Sequence, residues 1–108
     1  MRKRRTRFIP YNRKSDRSSP LYTDFCKRVY RRDGGRCICC KSTFIISAHH
    51  LNGWSWYKPG RYEERNAVTL CKKCHDLFHK EYGKGKNTVQ QFEDFLYKNF
   101  GKRLRDIL

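Results

Sequence analysis

Two C-x-x-C pairs, Cys37 with Cys40 and Cys71 with Cys74, constrain this chain more than any other feature. Four thiolates in two such knuckles close one tetrahedral zinc site and tie together parts of the chain that are distant in sequence. A chain of 108 residues buries a modest fraction of its surface, so a staple of this kind is useful to it. Disulfides or inert buried thiols are the competing reading. Cys26 and Cys39 are left over, and Cys39 lies inside the first pair, where it could replace a ligand. The usual knuckle separation favours Cys37 and Cys40, with Cys39 pointing away.

The 26 Lys and Arg residues against 10 Asp and Glu give a formal charge of +16, which costs self-repulsion in a compact state and points to a polyanionic partner. DNA or another nucleic acid fits better than an anionic membrane, because the charge is spread along the chain rather than set opposite an apolar stripe. No apolar run approaches the roughly 18 residues of a membrane span, and the start lacks the pattern of a secretory signal. A soluble, cytoplasmic protein is expected, with thiols kept reduced.

Residues 1–18 carry Arg2, Lys3, Arg4, Arg5, Arg7, Arg13, Lys14 and Arg17 with few apolar anchors and read as a basic arm, either tracking phosphates or simply solvated. Residues 19–108 form the second unit. Ser19-Pro20 suits a helix start, with Leu21, Phe25 and Val29 as its core stripe and Gly34-Gly35 as its stop. Residues 43–48 are rich in β-formers and run into His49 and His50. A long loop then leads to a second strand around Ala67–Leu70 and a helix from Cys71 to about Tyr82. Gly83–Asn87 reads as a flexible basic link. Thr88 and Gln91 match a capping box for a last helix over about 88–106, with Val89, Phe92, Leu96 and Phe100 on its core or partner-facing side.

All four histidines lie between or just beyond the cysteine pairs. His49 and His50 stand together at a strand end, while the four-residue spacing of His75 and His79 sets two imidazoles one helical turn apart on one face. Together they have the makings of a second metal site.

The order Cys37-x-x-Cys40, Ala48-His49-His50-Leu51, Arg65-Asn66-Ala67-Val68-Thr69-Leu70-Cys71 and Cys74-His75 with His79 resembles the HNH endonuclease family. The lead-in Asp33-Gly34-Gly35-Arg36-Cys37 is similar to that of its small zinc-knuckle members from bacteriophages. The resemblance implies an α+β, ββα-metal fold with a core over about 36–83, a structural four-cysteine zinc site and flanking helices. It further implies His49 and His75 as ligands of one catalytic divalent ion, His50 as general base, and Asn66 as the residue that holds the hairpin loop and orients the base. His79 matches the extra ligand of the colicin-type members; a surface histidine beside the site is the alternative. Histidine ligands favour manganese, nickel or zinc, with magnesium still able to serve.

Arg61 and Arg65 flank the loop and are candidates to clamp a phosphate, or are solvated. Trp54, Trp56 and Tyr57 either meet bases or cover the hairpin. What the resemblance implies about activity is DNA cleavage leaving 5′-phosphate ends. With one metal site and no recognition domain, the expectation is nicking with weak sequence preference by a monomer or weak dimer, with a phage terminase as one partner that the resemblance allows. The alternative is a zinc-stapled DNA-binding module without activity, for which the cysteines alone would suffice.

Overall fold

The computed structural model describes residues 19–108, so the expected basic arm lies outside the described residues. The main elements follow from local chemistry. The first helix, α1 (Pro20–Arg32), starts where Ser19 accepts a hydrogen bond from the Tyr22 N–H at 3.2 Å and Pro20 occupies the first turn. Gly34 and Gly35 end it with φ of 72° and 70°, a region that side chains bearing a Cβ enter at a cost. Strands β1 (Ile46–His50) and β2 (Ala67–Cys71) pair antiparallel, with His49 opposite Val68 and His50 opposite Ala67. Helix α2 (Lys72–Tyr82) follows β2 without a break, and α3 (Val89–Phe100) opens on the expected capping box of Thr88 and Gln91.

The two-stranded sheet is covered on both faces. Alternation along a strand sends successive side chains to opposite sides. Phe25 and Val29 of α1 pack with Ala67, Ala48 and Tyr62 on one face. Val68 and Leu70 join Phe78 of α2 and Phe92, Phe95 and Leu96 of α3 on the other. The four buried phenylalanines are the largest side chains of the two layers, each worth about 1.5–3 kcal/mol in burial. His49 and His50, being adjacent, therefore face different layers. His49 meets Phe78 and Phe92, whereas His50 stacks on Phe25 with ring centroids 5.1 Å apart.

Several boundaries differ from expectation. β1 begins at Ile46 rather than Thr43, because the chain turns through Ile45 with a φ of 49°, leaving Phe44 and Ile45 exposed. The last helix ends at Phe100 rather than near residue 106. Gly101 caps it in the left-handed region (φ 65°), and the tail makes a short 3-10 turn, Leu104–Asp106, that buries Leu104. Leu21 and Val89 are exposed rather than in the core, and Tyr22 and Phe95 take up those packing roles.

The free edge of β2 is closed by residues that periodicity does not reveal. The Asp33 carboxylate accepts the Thr69 N–H at 2.9 Å, and the Thr69 carbonyl accepts the Ile38 N–H at 3.0 Å. Asp33 also takes Arg32 in a two-pronged pair at 2.8 Å, and the Arg32 guanidinium donates onward to the carbonyls of Glu64 and Ala67. The carboxylate is 1 % exposed. Asp33→Ala would strand a half-buried guanidinium and a backbone N–H, so urea denaturation is expected to show a loss of about 3 kcal/mol, where an ordinary surface substitution would show almost none.

Candidate metal centre and cleft

The four sulfurs of Cys37, Cys40, Cys71 and Cys74 lie within 4.8 Å of one another. Cys40 is 3.6 Å from Cys71 and 3.7 Å from Cys74, far beyond a disulfide and close to the about 3.8 Å edge of a tetrahedron with zinc–sulfur bonds near 2.3 Å. All six cysteines are unpaired thiols. The donor set thus fits a structural zinc ion. Cys71 is both the last residue of β2 and the N-cap of α2, and Cys74 sits in the first turn of that helix, so the cluster sets how α2 leaves the sheet. Cys39 does not point away, as its spacing suggested. It is buried, and the Cys39 thiol together with backbone N–H groups holds the Cys37 thiol down at about 3 against the effect of burial.

A second group lies at the far end of β1. The ring nitrogens of His49, His75 and His79 also come within 4.8 Å of one another. Burial, and then the nearby His75, His79 and His50, push His49 well below the ordinary imidazole range, so it is neutral at neutral pH. Its Nε2 is buried and has no hydrogen-bond partner. Such an orphaned atom costs about 1–3 kcal/mol unless something satisfies it. His79 donates Nδ1–H to the Gly83 carbonyl at 2.8 Å, which leaves the lone pair of the neutral ring on Nε2, 3.0 Å from His75 Nε2. Burial also lowers His75. Three imidazoles converging on one point, one of them otherwise unsatisfied, fit a borderline divalent ion.

His50 is held differently. Its Nε2 faces the Arg61 carbonyl at 2.9 Å, and because a carbonyl only accepts, Nε2 carries the proton and Nδ1 the lone pair of the neutral ring. The loop that supplies this carbonyl is pinned by Asn66, whose side-chain amide accepts the Asn52 N–H at 3.0 Å and donates to the carbonyls of Asn52 (3.0 Å) and Gly60 (3.1 Å). Gly60 packs so tightly that a Cβ there would stand 2.6 Å from the Asn66 amide and from the Tyr57 ring.

The histidines line a cleft of about 260 Å3 together with Tyr22, Trp54, Lys84 and Lys86. The two loop arginines do not line it. Arg61 donates Nε to the Trp54 carbonyl at 2.9 Å and lies over the Trp54 ring, while Arg65 reaches the carbonyl of Leu108 at 3.1 Å. Trp54 is at the cleft. Trp56 donates to the Asn87 carbonyl at 2.7 Å and packs on Tyr57, covering the hairpin. Lys84, Lys86 and Asn87 escape sequence reasoning as site residues, since the glycine-rich stretch around them reads as a mere link.

A strand pair and a helix that gather histidines at one end, fastened by a four-cysteine cluster at the other, define a ββα-metal centre. Residues 37–81 match the family described as HNH endonuclease. No curated protein and no solved structure matches the chain. Among the described residues no helix is long and apolar enough to cross a membrane.

Native mass spectrometry of the purified chain is expected to show one tightly held zinc that survives Cys39→Ser and is lost in Cys71→Ser, along with the cooperative fold. Zinc loss in Cys39→Ser instead would move Cys39 into the ligand set.

Proposed function

We propose that this protein is a DNA endonuclease that hydrolyses one phosphodiester bond per encounter, with His50 as general base and His49, His75 and His79 as the ligands of a single divalent ion. The observation that carries the reading is the pairing of opposite roles on adjacent residues. His49 is a buried neutral imidazole with an unsatisfied Nε2 in reach of His75 and His79, while His50 has its tautomer set by the Arg61 carbonyl.

His49, His75 and His79 would hold the ion, which when bound would supply positive charge to offset that of the phosphodiester and its leaving group. His50 accepts a proton at Nδ1 from a water molecule as the water oxygen bonds to phosphorus and the bond from phosphorus to the 3′ oxygen breaks. The 3′ oxygen leaves with a proton from solvent, giving 5′-phosphate and 3′-hydroxyl ends. Asn66 acts through the loop, holding Gly60 and hence the adjacent Arg61 carbonyl where His50 needs it. One centre makes one cut, so a single chain nicks a duplex.

Sequence preference should be weak, because most of the chain's charge can contact only phosphates. Supercoiled plasmid treated with wild type in manganese, nickel or magnesium should become nicked before it becomes linear. His50→Ala should retain zinc and DNA binding while losing about 10²-fold or more of the rate, the scale of a lost general base. If wild type and variant are equally inactive in every metal while still binding DNA, the chain is a zinc-stapled binding module and not a nuclease.

A further inference from the structure

The segment between α2 and α3 carries a feature that neither the cysteine cluster nor the histidines account for. Lys84 and Lys86 line the same cleft as His49, His50, His75 and His79, are exposed, and have no ion-pair partner among the described residues. The residues lining the cleft include no carboxylate; the nearest acid whose charge bears on His75 and Lys84 is Asp76, which is paired with Lys72. Elsewhere several surface lysines are engaged: Lys72 pairs with Asp76, Lys98 with Glu81, and Lys102 caps the carbonyls of Ile38 and Cys39.

The segment is not a free tether. Asn87 is 4 % exposed and joins it to its surroundings on three sides. Its side chain donates to the Gly83 carbonyl and to Gln91, while its own carbonyl accepts from the Gly53 N–H at 3.0 Å and from the Trp56 indole at 2.7 Å. The Asn52 side-chain oxygen also accepts the Val89 N–H at 2.9 Å. The hairpin loop and the lysine segment are thereby bolted together as two walls over the histidines. A cation on a wall of fixed position loses less freedom on binding than one on a mobile loop, which is how a site gains affinity from preorganisation.

We propose that Lys84 and Lys86 form the phosphate-binding wall of the cleft, engaging the phosphodiester backbone next to the bond that is cut, and that this role falls to them rather than to Arg61 or Arg65. The proposal rests on the cleft being the nuclease site. Arg61 is engaged by Trp54, and Arg65 reaches away to the C-terminal turn, so neither guanidinium lines the cleft. Lys84 is near enough to His75 for its charge to bear on that ring. As point charges without a planar fork, two lysines read phosphate and not base identity.

The test compares Lys84→Gln/Lys86→Gln with Lys73→Gln/Lys80→Gln, which removes the same charge from the other exposed side of α2, where Phe44 and Leu77 lie. Binding of a DNA duplex of arbitrary sequence is measured on the zinc-loaded protein with no divalent metal added, as a function of salt, and nicking is measured separately with manganese. Substituting the cleft pair should lower the slope of log affinity against log salt by about 2, one for each phosphate no longer neutralised, with less effect from the control pair. Zinc content and the unfolding midpoint should be unchanged in both, since all four lysines are on the surface. Equal effects of the two pairs, or no effect of the cleft pair, would overturn the proposal. Because binding is read without catalytic metal, a wild type that binds but never nicks would sink the nuclease reading and leave the lysine result to stand or fall alone.

Discussion

The arrangement of this protein depends on the angle at which α2 leaves β2, and the four-cysteine cluster is what sets it. Cys71 ends the strand and caps the helix, Cys74 follows within the first helical turn, and Cys37 and Cys40 grip both from a separate knuckle. His75 follows Cys74 directly and His79 lies one turn later, so the direction of that helix decides whether two imidazoles reach the end of β1 or face solvent. A four-cysteine cluster at one end of a short helix thus decides where the two imidazoles further along it point. Four thiolates without an ion would repel one another at the point where the helix begins, so folding of the helix and filling of the cluster should be linked.

The paired histidines turn a property of β-strands to use. Two adjacent residues on a strand cannot share an environment, and here the sheet is sandwiched between α1 and the pair α2 and α3. His49 falls among Phe78 and Phe92, where burial keeps it neutral and its Nε2 meets no protein donor or acceptor. His50 falls against Phe25 and Trp54, where a backbone carbonyl fixes its proton on one nitrogen. The two rings are separated by a strand's pleat rather than by sequence distance. Slipping the β1–β2 register by one residue would exchange their surroundings, so the contacts that fix the register, Asp33 on the Thr69 N–H and Asn66 across the loop, bear on the chemistry as well as on stability.

The parts legible in the sequence were those whose signal is local or whose chemistry is rare. The cysteine spacing, the four-residue step from His75 to His79, the Ser19 and Thr88 caps and the glycines at 34, 35 and 83 act through their own neighbours, and most elements appear where those signals put them. The extra ladder partners of β2, the role of Cys39 beside Cys37 and the hub at Asn87 were hidden, because each joins segments whose proximity only the folded chain creates. The same blindness explains the arginines. Position beside the loop suggested that Arg61 and Arg65 face the site, but the loop's own packing commits Arg61 to Trp54, and the tail receives Arg65. Lys84 and Lys86 carried no pattern at all beyond a glycine-flanked charge, and only the cleft gives them a place.

A centre built from imidazoles alone has an electrostatic consequence. Carboxylate ligands would each offset part of an ion's charge, whereas neutral histidines leave it in full for the substrate. In this cleft the lining residues add two lysines and no acid, so a phosphodiester entering it meets no carboxylate on its walls. Such a field would favour negative charge growing on phosphorus-bound oxygens, beside a His49 that is buried. The cost is indiscriminate affinity for anions, which fits a chain of formal charge +16.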